Sequence, residues 1–254
     1  MPLPAILYII ASIGATATVT ALSRAFQPVI IKTSKNLTYF YRSKFENRNI
    51  AIFGDSQSGK TSLLLLLTTG RPYKTGSNGE IIEPEPTNGI VIVDEGVYKN
   101  LNLKNINNRD RVSRDVNGEL VDDWQEIIDQ VNPHGIIYMV DARASNSEIQ
   151  ETIKLLFNVV IMRYRTNWRN HRLRSLHIYA NFTDKINPER KDQIISLINH
   201  QCQLMGRALD LEKADYLKSI QYLISLIQLS PKETDWKEAK YALEEFGTHL
   251  REVK

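Results

Sequence analysis

The stretch Gly54–Ser62, GDSQSGKTS, decides the fold of this chain. Gly54, Gly59, Lys60 and Thr61 fit the spacing G-x-x-x-x-G-K-[ST]. Each part of that spacing has a mechanical reason. Glycines let the backbone curl so that successive N–H groups converge on an anion, and the helix that follows adds its positive dipole end. The lysine reaches phosphate oxygens and the hydroxyl after it suits a hard cation such as Mg²⁺. The apolar NIAIF before the stretch reads as a buried strand, and LLLLL after it as a helix closed by Gly70. Strand, glycine loop and helix together predict a site for a nucleoside phosphate. Its candidate residues are Gly54, Asp55, Ser56, Gln57, Ser58, Gly59, Lys60, Thr61 and Ser62, with Thr61 also a candidate ligand of Mg²⁺.

Working outward, short apolar runs alternate with amphipathic segments, the pattern of an α/β sheet flanked by helices. GIVIVDEGVYKN, HGIIYMVDA, SLHIYAN and IQYLISLIQLS read as strands. SEIQETIKLLFNVVIMRY is helical, with Ile149, Ile153, Leu156 and Val160 on one face. NPERKDQIISLINHQCQLMGRAL is a helix capped by Asn187 with Pro188 in its first turn. DWKEAKYALEEFGTHL closes the chain as a helix that buries Trp236, Tyr241 and Phe246. RPYKTGSNGEIIEPEPTNG reads as a loop.

The N-terminus has a different character. Met1–Ser23 carries no charged residue, and a membrane-spanning helix needs about 20 apolar residues. Arg24, Lys32, Lys35, Arg42, Lys44 and Arg48 follow, against Glu46 alone, which keeps the downstream chain cytoplasmic by the positive-inside rule. The expected organisation is a transmembrane anchor over 1–23, a basic juxtamembrane linker over 24–48 and a nucleotide-binding domain over 49–254. The alternative for 1–23 is a buried helix of a soluble protein. A net charge of +3 is too small to point to nucleic acid, and the single Cys202 excludes an intramolecular disulfide and a cysteine zinc site.

The base-reading candidates lie in HIYANFTDK. Asn181 and Asp184 fall at the end of a strand, where ligands of open α/β sheets bind. The spacing N-x-x-D suits guanine, because a carboxylate accepts from both its N1–H and its exocyclic amine, donors that adenine lacks. Phe182 stands where that motif usually carries Lys and offers a ring to stack on the base. An Asn-Asp turn is the alternative for the same residues.

With these motifs in order, the chain resembles the Arf-type branch of the Ras-like small GTPases. EPTNGIVIVDEGVYKN is similar to its switch I and following strand, DVNGE to its switch II, and HGIIYMVDA to its next strand. A hairpin turn is the alternative reading of DVNG. The anchor followed by GKTSLLLLLTTGR is similar to a membrane-anchored member of that branch. The resemblance implies GTP/GDP and Mg²⁺ as ligands. It implies Thr87 and Asp115 at the Mg²⁺ beside Thr61, Gly118 on the γ-phosphate, and QLSPK near Ser230 as a further base loop. It implies a protein partner that reads the switches. Glu119, the catalytic candidate, stands where many relatives have glutamine, so hydrolysis is expected to be slow. The functions left open are a membrane-anchored GTP switch, a non-hydrolysing GTP-bound scaffold, and an ATP-using protein with the same loop.

Overall fold

The fold was read from a computed structural model, which describes residues 48–82, 111–113, 124–125, 128–129, 132–161, 173–210, 221–230, 232 and 236–251. Chain order is β1 (Asn49–Gly54), α1 (Lys60–Thr69), β2 (Lys74–Thr75), β3 (Ile81–Ile82), β4 (Arg111–Ser113), β5 (Gly135–Asp141), α2 (Asn146–Leu155), β6 (Ser175–Asn181), α3 (Pro188–Asp210), β7 (Gln221–Leu226) and α4 (Lys237–Arg251). A π-helical turn, Leu156–Ile161, prolongs α2, and a 3-10 turn, Thr183–Lys185, follows β6.

The main sheet has the order β4-β1-β5-β6-β7 with every pair parallel. Parallel strands need helical crossovers, and these cover both faces. Side chains that alternate along a strand therefore enter two different cores. Ile50 and Ile52 of β1 with Ile137 and Met139 of β5 pack with Leu63, Leu66 and Leu67 of α1 and with Leu243 and Phe246 of α4. Ala51 and Phe53 with Ile136, Tyr138 and Val140 pack with Ile149 and Ile153 of α2 and Ile194 and Ile198 of α3. Burial on both faces explains why HGIIYMVDA is apolar without alternation.

Local signals fix the element ends. Gly70 closes α1 in the left-handed region at φ 80°, its N–H on the Leu66 carbonyl at 3.0 Å. Ser145 caps α2 in a reciprocal capping box with Glu148. Asn187 caps α3 through Arg190 N–H at 2.8 Å. Cys202 is buried in the α2/α3 core, which pushes its thiol up to about 12 and leaves it inert.

Two expectations are corrected. Tyr241 is 69% exposed, whereas Trp236 and Phe246 are buried. At about 100° per residue, a position five residues from each lies roughly 140° round the helix from both. The expected loop after α1 contains a two-residue antiparallel ladder, Lys74↔Ile82 and Thr75↔Ile81. Arg111–Ser113 form β4, a short strand parallel to β1.

Among the described residues no helix is long and apolar enough to cross a membrane. The anchor expected over 1–23 and, apart from Arg48, the linker expected over 24–48 lie outside the described residues, as does the strand expected over 89–100.

Candidate functional site

All five strands of the main sheet run the same way, so the loops after β1, β5, β6 and β7 gather at one edge. The first of them is the glycine loop. Its backbone enters the left-handed region at Gln57 (φ 60°) and Gly59 (φ 97°), with Gly54 at φ 140°. A Cβ on Gly59 would overlap the Asn181 side-chain amide, and one on Gly54 would overlap the Met139 carbonyl. Glycine is therefore required at both positions by backbone angle and by packing.

α1 begins at Lys60 without a capping side chain and without an acid in its first turn. Lys60 is 7% exposed, and its ammonium donates to the carbonyls of Gly54 (3.0 Å) and Asp55. Ser58 is fully buried and donates its hydroxyl to the Asp55 carbonyl at 2.8 Å. A helix N-terminus free of negative charge and a buried ammonium on the same turn form a donor set that fits phosphate. Thr61, half-buried in the first turn of α1, carries the hydroxyl that would suit Mg²⁺.

Asp55 is the one acid in the loop. Its carboxylate accepts from the Thr152 hydroxyl of α2. Burial raises its pKa above the ordinary carboxylate value, although the Thr152 hydrogen bond and the Lys60 charge both pull it down. Tyr138 donates to the Thr152 carbonyl at 2.9 Å, and burial first, then the Asp55 charge, keeps that phenol protonated. A polar chain thus links α2 to the glycine loop inside the core. Sequence reasoning missed Thr152, since only the fold brings it to a residue 97 positions earlier.

The base candidates stand at the end of β6. Asn181 is fully buried. Its Nδ2 donates to the Ser58 carbonyl (3.2 Å) and its Oδ1 accepts from Leu229 N–H (3.2 Å). One side chain thereby ties the glycine loop, β6 and the segment after β7 together. That segment is further held by Thr183 Oγ1 on the Ile227 carbonyl (3.0 Å) and by Trp236 Nε1 on the Ser230 carbonyl (2.6 Å). QLSPK near Ser230 therefore starts beside Asn181. Phe182 has φ 65° and is half-buried, with the Arg143 guanidinium 3.9 Å from its ring centre. Asp184 lies on the 3-10 turn with its side chain 25% exposed, 3.2 Å from the Lys185 ammonium.

Arg143 is a second residue that sequence reasoning missed. It follows β5 by two positions, and Asp141 holds it bidentately, with Nη2 to Oδ2 at 2.6 Å. The hydrogen bonds to Asp141 are the main reason its pKa is raised. Its signal in the sequence was Asp-x-Arg directly after a buried strand.

Thr87, Asp115, Gly118 and Glu119 lie outside the described residues. Among the described residues no cluster of His, Cys, Asp and Glu suits a metal ion. The fold does pair two of the five histidines: His177 Nε2 and His249 Nδ1 are 3.0 Å apart. Burial first, then the His249 charge, lowers the His177 pKa to about 3, which makes it a neutral core residue.

A search of curated proteins finds no match. Among solved structures, the signal recognition particle receptor SRb-GTP/SRX complex from Chaetomium thermophilum matches at a TM-score of 0.52 and 13% identity, over 78% of this chain and 98% of that one. At such identity the likeness speaks for the fold alone. The Arl6 BBS3 small GTPase from Trypanosoma brucei with bound GppNp matches at 0.46 and 10% identity, over 80% of this chain and 99% of that one. A GTP-binding protein from Sulfolobus solfataricus in complex with GDP also matches at 0.46, with 17% identity over 92% of this chain. The chain spans only 61% of that protein's length. Residues 45–173, just over half of the chain, match the family described as signal recognition particle receptor beta subunit. With the glycine loop at one end of a parallel sheet and Asn181 tied to it, the chain belongs to the signal recognition particle receptor beta subunit family.

Proposed function

We propose that this small GTPase binds GTP and GDP with Mg²⁺, is held in a membrane by residues 1–23, and recruits a protein partner on the cytoplasmic face in its GTP state, hydrolysing GTP slowly. The carrying observation is the Asn181 side chain, which joins the glycine loop to the base-side loops. Phosphate and base then report to one rigid unit. In this reading Gly54–Ser62 cradle the phosphates and Lys60 neutralises their charge. Asp184 accepts from the guanine edge while Phe182 stacks on the ring. Thr61, Thr87 and Asp115 surround the Mg²⁺, and the Gly118 N–H meets the γ-phosphate. GTP orders the switches for the partner.

Glu119 supports a second reading, a GTP-bound scaffold that does not turn over. A carboxylate next to a triphosphate is repelled by it and orients water poorly. Both readings are tested on the full chain. After membrane preparation it should stay in the pellet through alkaline carbonate extraction. Solubilised and loaded with GTP, it should release phosphate slowly over many turnovers. Absence of any release favours the scaffold. Carbonate release of the chain contradicts the anchor.

A further inference from the structure

We propose that Arg143 is a positioning residue of the base site: it backs one face of the Phe182 ring and so leaves the other face as the platform for a purine. The inference deepens the guanine-nucleotide reading and rests on it. Phe182 follows Asn181 directly and stands two residues before Asp184. Its φ of 65° is a conformation that side chains with a Cβ rarely adopt, so surrounding contacts must hold it.

Arg143 supplies the contact on the ring face, its guanidinium carbon 3.9 Å from the ring centre. That guanidinium is itself held. Its Nε lies 3.0 Å and 3.2 Å from the two Asp141 oxygens, its Nη2 2.6 Å from Oδ2, and its backbone N–H donates to Oδ1 at 2.8 Å. Asp141 is the register partner of Asn181 between β5 and β6. The loop carrying Arg143 is pinned from α3, where Arg190 Nη2 donates to the Ala144 carbonyl at 2.6 Å.

A ring held in this way is pre-organised, so stacking a purine on its other face would lose less side-chain freedom than stacking on a mobile ring. The cation also draws on the π-system from behind. Arg143 is 45% exposed, so its removal should leave the core intact.

The full chain, purified in mild detergent, is titrated by calorimetry with GTP and with inorganic tripolyphosphate, which has no base. Arg143→Ala should weaken GTP about three- to tenfold and leave tripolyphosphate unchanged. Phe182→Leu should show a similar loss confined to GTP. Arg143→Ala on the Phe182→Leu background should add almost nothing, because the two act as one unit. Arg143→Lys should recover part of the loss. Equal losses for GTP and tripolyphosphate, no change in GTP binding, or full additivity of the two substitutions would overturn the proposal. A wild-type chain that binds GTP no better than tripolyphosphate would sink the base-site reading itself. A wild-type preference for GTP over tripolyphosphate that Arg143→Ala leaves undiminished would overturn only the role of Arg143.

Discussion

The two ends of the candidate nucleotide site are built in opposite ways. The phosphate end is one continuous turn, Gly54–Ser62, whose chemistry comes from backbone N–H groups, a helix start and one lysine. The base end is assembled from the end of β5, the end of β6 and the segment after β7, and its chemistry comes from side chains. A backbone site depends on glycine positions and tolerates change between them. An assembled site depends on each partner arriving in register, as Asp141 arrives opposite Asn181. Asn181 joins the two ends and belongs to both.

Substitutions should separate them. Lys60→Ala removes the buried ammonium of the phosphate end. It should weaken GTP and tripolyphosphate alike, by about a hundredfold or more, in fluorescence competition. Unchanged affinity would dismiss the phosphate-loop reading. Asp184→Asn touches the base end alone. It should lower GTP affinity by about tenfold or more, spare tripolyphosphate, and raise affinity for xanthosine triphosphate, whose 2-oxo group accepts where guanine donates. A parallel loss for tripolyphosphate would mean that the ends are not separable.

Gly59→Ala strikes the tie between them. Its Cβ would meet the Asn181 amide at a φ of 97°. Urea denaturation should show a loss of roughly 1–3 kcal/mol. A variant as stable as wild type would show that the loop adapts freely to Asn181.

The smallest effect at neutral pH should come from the scaffold beneath the site. The folded-state pKa of His177, about 3, lies below the ordinary value of 6.5, so below pH 6.5 the unfolded chain takes up a proton that the native one refuses. Its contribution is in place above pH 6.5 and is lost progressively as pH falls toward 3. The slope for one such proton is about 1.4 kcal/mol per pH unit. His177→Phe should flatten the stability profile between pH 6 and pH 4.5, taken from urea midpoints, by up to about that slope. An unaltered profile would place the acid sensitivity elsewhere.

The same contrast governs what the sequence discloses. The GDSQSGKTS motif and the unbroken apolar runs around β1, β5 and β6 were legible because their residues are contiguous and their periodicity is local. Asn187 and Gly70 were legible as helix ends for the same reason. Arg143, Thr152 and the His177–His249 pair were not. Each acts on a residue brought close by strand order, and strand order leaves no local trace. Phe182 was visible as a departure from the usual lysine, but the cation behind its ring comes from the loop after β5 and could be found only in the fold. Aromatic character alone does not place Tyr241, whose angle on α4 turns it to solvent.

The central claim is that the phosphate loop and the β6 end form one site that reads guanine. Competition binding on the wild-type chain, with GTP, ATP and xanthosine triphosphate displacing a fluorescent GTP analogue, tests it most directly. Unpaired buried polar groups should make GTP preferred over ATP by about a hundredfold or more, with xanthosine triphosphate also weak. Equal affinity for GTP and ATP would contradict the account and leave a phosphate loop without a base-specific partner.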